Sequence, residues 1–377
     1  RQEEGDWAYW DDVTGQMLDK EAVNEARKEE MREFKKHGVY EKVPIEECYR
    51  VTGKAPLAHR WLDINKGDDE NVEMRSRLVA KEIKRDNRED LFAATPPLEA
   101  IKVLLSLAVT EGIGYSKGCR GQGMKLDFID VRRAYFQAKA RRDVYVKLPE
   151  EDDEPGMCGK LIQSLYGTRD AAQNWEECYA EVMEKLGFRR GRASTCVFYN
   201  EGRDARVVVH GDDFTVLGMH NELDWFRSKI ADRFEVKFRG RLGPDAKDDK
   251  SIRILNRVVQ WTSEGIEYEA DQRHAELIVQ QLGLSGASKS VSTPCVQIHH
   301  GDETPLGKEE STMYRALAAR ANYMSQDRSD VGFAVKELCR HMSNPRRCDW
   351  DRLKRCLLYT SPSPRDKRQS RMACWGW

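Results

Sequence analysis

Two adjacent carboxylates, Asp212 and Asp213, lie between strand-like runs in Val207-Val208-Val209-His210-Gly211-Asp212-Asp213-Phe214-Thr215-Val216, and a third acid stands upstream in Phe128-Ile129-Asp130-Val131. Two separated acidic clusters at strand ends can hold a pair of divalent metals, and phosphodiester synthesis by in-line displacement uses such a pair. Gly211-Asp212 reads as a two-residue type II′ loop, with glycine at the first central position, where φ is positive. Asp212 would then project from the tip, and Asp213 would begin the returning strand. Taken alone, Gly-Asp-Asp reads as an ordinary exposed hairpin turn, because both residue types are common in turns. The second cluster shifts that weighing, since Asp130 follows the apolar strand residues Phe128 and Ile129. Asp127 is a rival. Residues three apart on a strand point to opposite faces, so Asp127 and Asp130 do not suit one metal site together.

The elements that would position these acids are legible from spacing. Trp61 to Ile64 and Arg77 to Ala80 read as strands of a hairpin joined by the polar stretch Lys66 to Asn71. After Thr95-Pro96-Pro97, the apolar residues Ile101, Leu104, Leu105 and Ala108 fall on one helical face. Leu126 to Val131, Val144 to Leu148, Cys196 to Tyr199 and Arg206 to Val209 read as strands. A helix from about Ala171 carries Trp175, Cys178, Tyr179, Val182 and Leu186 on one stripe, with Gly187 at its C-terminal cap. Residues 17 to 36 read as a charged amphipathic helix with Met17, Ala22, Ala26 and Met31 interspersed. Residues 240 to 250 read as a flexible loop, Gln272 to Leu282 as a helix, and Tyr314 to His341 as strongly helical.

With 377 residues, the chain exceeds one compact core and fits two or three subdomains. A mean hydropathy of -0.74 and the absence of any stretch near ~20 apolar residues set it apart from membrane-spanning chains. The formal net charge of -1 lends no global support to nucleic-acid binding, so local basic patches must supply the attraction. Three clusters qualify: Arg75, Arg77, Lys81, Lys84 and Arg85; Arg189, Arg190 and Arg192; Lys237, Arg239 and Arg241. Each reads equally as solvated surface. The ten cysteines form no Cys-x-x-Cys pair, which points away from a zinc ribbon and toward reduced thiols in an intracellular protein. The doublet His299-His300 lacks a second ligand pair at metal-site spacing. Arg1 rather than Met opens the chain, so a fragment or a processed piece is expected.

Six segments in order carry a resemblance. They are Arg75-Ser76-Arg77-Leu78-Val79-Ala80-Lys81; Asp130-Val131 through Tyr135-Phe136; Ser164-Leu165-Tyr166-Gly167 through Gln173-Asn174-Trp175; His210-Gly211-Asp212-Asp213; Ser292-Thr293-Pro294; and Tyr314 through Arg340-His341-Met342-Ser343-Asn344-Pro345. Together, from about residue 40 to 355, they resemble the reverse transcriptase of copia-type LTR retrotransposons. The resemblance implies an α+β right-hand polymerase. Its expected parts are a charged helical lead-in over 1–40, fingers over 41–125, a palm of antiparallel sheet plus helices over 126–220, a thumb over 221–300 and connection helices over 301–355. A non-native or disordered tail is expected over 356–377, where the family's ribonuclease H domain would otherwise begin, and this implies truncation.

The resemblance also implies roles. Asp130 and Asp212 would bridge two Mg²⁺ or Mn²⁺ ions, with Asp213 assisting. It picks Asp130 over Asp127, because Tyr135 then stands where an aromatic would pack under the sugar and exclude a 2′-hydroxyl. Arg75, Arg77 or Lys81 would contact the dNTP triphosphate, the choice among them staying open. Gln173 and Gly167 would lie near the template base or incoming nucleotide. Arg169, His210, Lys237 and Arg239 would contact nucleic acid. The implied partners are an RNA or DNA template-primer, dNTPs and other Pol segments such as integrase and ribonuclease H. No membrane is implied, and the expected location is intracellular, cytoplasmic and nuclear. The departures are His210 and Gly211 for the usual Tyr and hydrophobic residue, and Thr168-Arg169-Asp170 for Leu-Lys-Gln, which would put an acid near the nucleic acid. Two other readings remain: a decayed, inactive element copy that keeps the fold, and another metal-dependent palm enzyme such as a nucleotide cyclase. The thumb and connection segments disfavour the cyclase.

Overall fold

The computed structural model describes residues 8–67, 71–83, 91–118, 122–270, 272–283, 291–295 and 302–360. In chain order they form β1 (Tyr9–Trp10), β2 (Met17–Leu18), α1 (Lys20–His37), β3 (Tyr40–Pro44), α2 (Ile45–Thr52), β4 (His59–Asn65), β5 (Met74–Ala80), α3 (Leu98–Ala108), β6 (Lys125–Val131), β7 (Tyr145–Val146), β8 (Met157–Leu161), α4 (Ala171–Lys185), β9 (Arg189–Arg190), β10 (Val197–Asn200), β11 (Ala205–His210), β12 (Asp213–Gly218), α5 (His220–Ala231) and β13 (Val236–Leu242). The later elements are β14 (Ser251–Ile254), β15 (Arg257–Trp261), β16 (Ile266–Glu269), α6 (Gln272–Gln281), α7 (Lys308–Ser325), α8 (Gly332–Arg340) and α9 (Arg347–Thr360). The mixture of sheets and helices bears out the α+β expectation. Six strands share one sheet in the order β13-β6-β12-β11-β10-β9.

Two compact units divide the chain. One holds Arg1–Pro97, Phe128–Val216 and Asn221–Arg239; the other holds Leu98–Asp127, Leu217–His220 and Gly240–Trp377. The first unit's main core joins Ile129 and Val131 of β6, Trp175, Tyr179 and Met183 of α4, Val207 and Val209 of β11, and Phe226 and Ile230 of α5. A smaller core puts Met31 and Phe34 of α1 beside Leu78 and Ala80 of β5. The second unit's core unites Tyr314, Leu317 and Ala321 of α7 with Val335 and Leu338 of α8 and Leu353 and Leu357 of α9.

Local chemistry explains the elements nearest the site. Asp19 caps α1 by accepting from the Ala22 backbone N–H at 2.8 Å, and Gly38 closes it in the left-handed region at φ 58°. Val23, Met31 and Phe34 are buried along one stripe of α1, which therefore packs as part of the first unit rather than as a lead-in. Met17 is not on that helix but in β2, largely exposed. β4 and β5 form the expected hairpin, with Trp61 opposite Leu78. Along β5, Ser76, Leu78 and Ala80 are buried while Arg75, Arg77 and Val79 alternate to the other face, so the period of two sets both arginines side by side. In α3 all four predicted apolar positions are buried.

Four expectations change. The strand expected over Val144 to Leu148 shortens to Tyr145–Val146. Residues 240–250 are not a loose loop: β13 continues to Leu242, and Lys125 Nζ donates to carboxylates of Asp245 and Asp248 at 2.5 and 2.9 Å. The helical run from Tyr314 to His341 divides into α7 and α8, tied by the Tyr314 hydroxyl donating to the Leu338 carbonyl at 2.8 Å. The last helix reaches Thr360 with Cys356 and Leu357 buried, so native-like packing passes the start expected for the tail. Residues 361–377, His299-His300, Lys84 and Arg85 lie outside the described residues. No helix among the described residues is long and apolar enough to cross a membrane.

Candidate active site

Asp130 is the one residue of β6 that is not fully buried. Gly211 takes φ +65°, whereas Asp212 is not among the residues of positive φ, which is the type II′ pattern. Two hydrogen bonds hold the turn. The Val131 N–H donates to the Asp212 carbonyl at 2.9 Å, and the Trp175 indole N–H donates to the Gly211 carbonyl at 2.8 Å. The end of β6 and the start of α4 therefore fix the hairpin tip. One guanidinium nitrogen of Arg239 lies 3.0 Å from Asp130 Oδ1 and 3.4 Å from Asp213 Oδ1. Burial pushes the Asp213 carboxyl up to about 6, Arg239 pulls it down, and the charges of Asp212 and Asp130 push it up again.

These residues fit a hard divalent cation. All three donors are carboxylates, the ligand type that suits Mg²⁺ or Mn²⁺. The Asp213 carboxyl is raised chiefly by burial, with repulsion from Asp212 and Asp130 adding to it, and a bound cation would offset both. Arg239 shows where positive charge is wanted, because one nitrogen reaches two of the three acids. The three oxygens are not gathered into a tight cage. Among the described residues the group whose ligand atoms all fall within 4.8 Å of one another is Glu33, His37 and Glu235. Mg²⁺ does not need such a cage, since it is usually held by one or two carboxylates and completed by waters and substrate phosphates.

Asp130 and Asp212 open onto a cleft of about 1000 Å³ in the first unit, walled by α1, β5 and the ends of β6 and β13. Eight cationic and six acidic side chains line it, so the cleft carries a positive surplus that the whole chain lacks. Arg75 and Arg77 face it from β5, Lys66 from the end of the hairpin, and Lys237 and Arg239 from β13. Burial and the neighbouring Arg77 lower the Arg75 pKa, and burial with Arg75 and Arg77 lowers that of Lys66. Cations forced together beside the acids are chemically suited to a polyanion.

The structure separates the other candidates. Arg75, Arg77, Lys237 and Arg239 line the cleft, whereas Lys81 is exposed beyond the end of β5 and does not. Tyr135 lies in a short 3-10 turn, its ring 4.7 Å from that of Tyr166, and Arg77 stacks over Tyr166 at 4.5 Å. Burial first, then the charge of Asp212, raises the Tyr135 pKa. Gln173 is half-buried in the first turn of α4, and His210 is half-buried at the end of β11. Gly167 is exposed on one side, but at φ +85° a Cβ would stand 2.1 Å from the Ala80 carbonyl, so its glycine serves close packing on β5. The Arg169 backbone N–H donates to Glu82 at 2.8 Å.

Several expectations are corrected by ion pairs. Asp170 is not an acid presented to nucleic acid: it is buried, accepting from Arg142 at 2.7 Å and from Asn174 at 3.0 Å. Burial alone would raise its pKa, but Arg142 holds it below the usual carboxylate range. Arg239 pairs with the aspartates rather than standing free for a phosphate. Arg190 is held by Glu176 and Arg241 by Asp127, so two of the three basic clusters are partly internal. Asp127 is fully buried, its carboxylate accepting from Arg241 at 2.7 and 2.9 Å. It is a structural acid, and the rival is removed.

Sequence reasoning missed the wall that α1 contributes, including Glu29 and Glu30, and the supports Tyr166, Trp175 and Lys66. Burial raises the Glu30 pKa, while Arg133, 3.3 Å away, opposes it. The alternating pattern of β5 was the available signal for the paired arginines. Nothing local in α1 marks it as a cleft wall.

Residues 48–245 match the family model described as "Reverse transcriptase (RNA-dependent DNA polymerase)". The chain is 23% identical over 361 residues to the retrovirus-related Pol polyprotein from transposon TNT 1-94 of Nicotiana tabacum, covering 90% of this chain and 25% of that protein. It is 24% identical over 327 residues to the corresponding polyprotein from transposon RE2 of Arabidopsis thaliana, covering 81% of this chain and 20% of that protein. The chain thus spans a quarter or less of these relatives' length. A solved structure of the foamy viral protease-reverse transcriptase in complex with double-stranded DNA aligns at 9% identity and a TM-score of 0.42, covering 91% of this chain and 49% of that one.

Proposed function

The chain belongs to the reverse transcriptase (RNA-dependent DNA polymerase) family of copia-type retrotransposons, and from that premise we propose that it extends a primer 3′-hydroxyl with dNTPs by two-metal nucleotidyl transfer. The observation that carries the reading is the shared cleft in which Asp130 and Asp212 face the crowded cations Arg75 and Arg77. An acidic edge for metal beside a basic wall for phosphate is the pairing that phosphoryl transfer requires.

Asp130 and Asp212 would hold the ions, with Asp213 assisting. When bound, such ions lower the pKa of an attacking hydroxyl and neutralise charge on the triphosphate and leaving pyrophosphate. The remaining work falls to the protein. Arg75 and Arg77, on one face of β5, grip phosphate oxygens, where planar guanidinium groups can bond bidentately. Tyr166 supports this wall, stacked beneath Arg77 and against Tyr135. Tyr135 closes the sugar side. Arg239 pairs with Asp130 and Asp213 and would have to release them for these carboxylates to hold a dication. Lys237, exposed in the same cleft, is left for the nucleic-acid backbone. In this reading β6, β11 and β12 form the palm, and the β4–β5 hairpin belongs to the fingers.

The test is dNTP incorporation on a primed RNA template with and without Mg²⁺, beside Asp212→Asn/Asp213→Asn. Incorporation that needs the metal and disappears in the double variant is expected. A well-folded chain that incorporates nothing would overturn the reading in favour of a decayed copy that keeps the fold.

A further inference from the structure

We propose that Glu33, His37 and Glu235 form a second metal site, distinct from the aspartates, that binds Zn²⁺ and clips the end of α1 to the segment leading into β13. The three side chains come from two elements of the same unit. Glu33 and His37 stand one turn apart on α1, so they share a face. Glu235 is brought to them by backbone bonds: its carbonyl accepts from the Arg132 N–H at 2.8 Å, and its own N–H donates to Gln137 at 2.9 Å.

The spacing around the histidine is close to that of a zinc site. His37 Nε2 lies 3.4 Å from Glu33 Oε2 and 3.7 Å from Glu235 Oε2. Bonds of about 2.0–2.2 Å to zinc set the ligand atoms of a tetrahedron roughly 3.3–3.6 Å apart. A mixed imidazole and carboxylate set also favours zinc over magnesium, which prefers oxygen alone. A second observation points the same way. His37 Nε2 is buried and has no hydrogen-bond partner, although two carboxylates flank it. The site also lies in the last turn of α1, where the helix dipole favours a cation.

Monocations now serve these acids. Lys36 Nζ lies 2.8 Å from Glu235 Oε2 and 3.4 Å from Glu33 Oε2, on a half-exposed side chain free to swing out. Arg133 pairs with the same Glu33 oxygen at 3.4 Å and Arg132 with the other oxygen of Glu235 at 3.6 Å, so a metal would take Glu235 Oε2 from Lys36 and share Glu33 Oε2 with Arg133. The consequence is mechanical. α1 walls the cleft, and the segment after Glu235 carries Lys237 and Arg239 into it, so a clip between them stiffens the cleft. None of this depends on the polymerase reading.

The test is calorimetric titration of the chelator-treated full chain with Zn²⁺. An Asp130→Asn/Asp212→Asn background removes competition from the aspartates. One site is expected, weakened by more than about 100-fold in His37→Gln and in Glu235→Gln, since even outer-shell partners of metal ligands are worth roughly 10–100-fold. Lys36→Met should bind more tightly than its parent, a gain that misfolding cannot produce. Co²⁺ in place of zinc should give visible d–d bands without a thiolate charge-transfer band. Zinc binding indifferent to His37 and Glu235, or a cobalt spectrum dominated by thiolate, would overturn the proposal and assign the metal to cysteines. Absence of a stoichiometric site would overturn it outright.

Discussion

Asp127 and Asp130 lie three residues apart on one strand, and substituting each should do opposite things. Asp127 is fully buried, and its two oxygens accept from Arg241 Nε and Nη2 at 2.7 and 2.9 Å. Arg241 is itself only 9% exposed. In Asp127→Ala this guanidinium keeps its charge and loses its carboxylate. Breaking a buried pair from one side costs about 3–5 kcal/mol, because the remaining charge stays desolvated after its anionic partner is removed. At about 2–4 °C per kcal/mol for a unit of 150–250 residues, melting should fall by on the order of 10 °C. Asp130→Asn is different. Its partner Arg239 is 37% exposed and retains Asp213 at 3.4 Å, so the stability change should stay within about 1 kcal/mol. Thermal and urea melts by circular dichroism, run beside Mg²⁺-dependent incorporation, separate the cases. Asp127→Ala should melt early, and Asp130→Asn should melt normally and incorporate nothing. An Asp127→Ala chain of wild-type stability and no activity, with Asp130→Asn still active, would falsify the assignment of structure to one acid and metal binding to the other.

Two further outcomes follow from the geometry. Because the Asp213 carboxyl sits at about 6 in the folded chain, above its ordinary range, the folded state holds an extra proton between those values and loses stability as pH rises through about 6. Asp213→Asn should therefore stabilise the chain at neutral pH. Mg²⁺ needs the ionised form, so incorporation should fall as pH drops through about 6 and recover with more Mg²⁺. A pH profile at two Mg²⁺ concentrations that does not shift would refute this. Gly167→Ala places a Cβ against the Ala80 carbonyl in left-handed backbone, which should cost about 1–3 kcal/mol and raise KM for dNTP by displacing β5 with Arg75 and Arg77. An unchanged melt would show that the loop shifts freely.

Much of this protein was legible in its order of residues. The hairpin tip follows from Gly211-Asp212 because only a few residue types tolerate positive φ there, a constraint that acts within one turn. The buried face of α3 and the paired arginines of β5 follow from periods of 3.6 and 2, which are properties of a single element. The resemblance likewise rests on ordered local motifs and implied a choice between Asp130 and Asp127 before any contact was known. What each charge does was not legible. Asp170 looked like an acid beside nucleic acid until Arg142 met it, and Arg241 looked like surface until Asp127 did. Arg239 looked like a phosphate ligand, yet it lies between Asp130 and Asp213. Helix α1 looked like a lead-in, yet it walls the cleft and brings His37 within reach of Glu235. In each case the partner lies far along the chain: Glu235 is 198 residues from His37, and Arg241 is 114 from Asp127. Local pattern reports whether a side chain is charged and which face it takes. Whether that charge is solvated, neutralised or left for a ligand depends on what distant segments bring against it, and only the tertiary structure decides that.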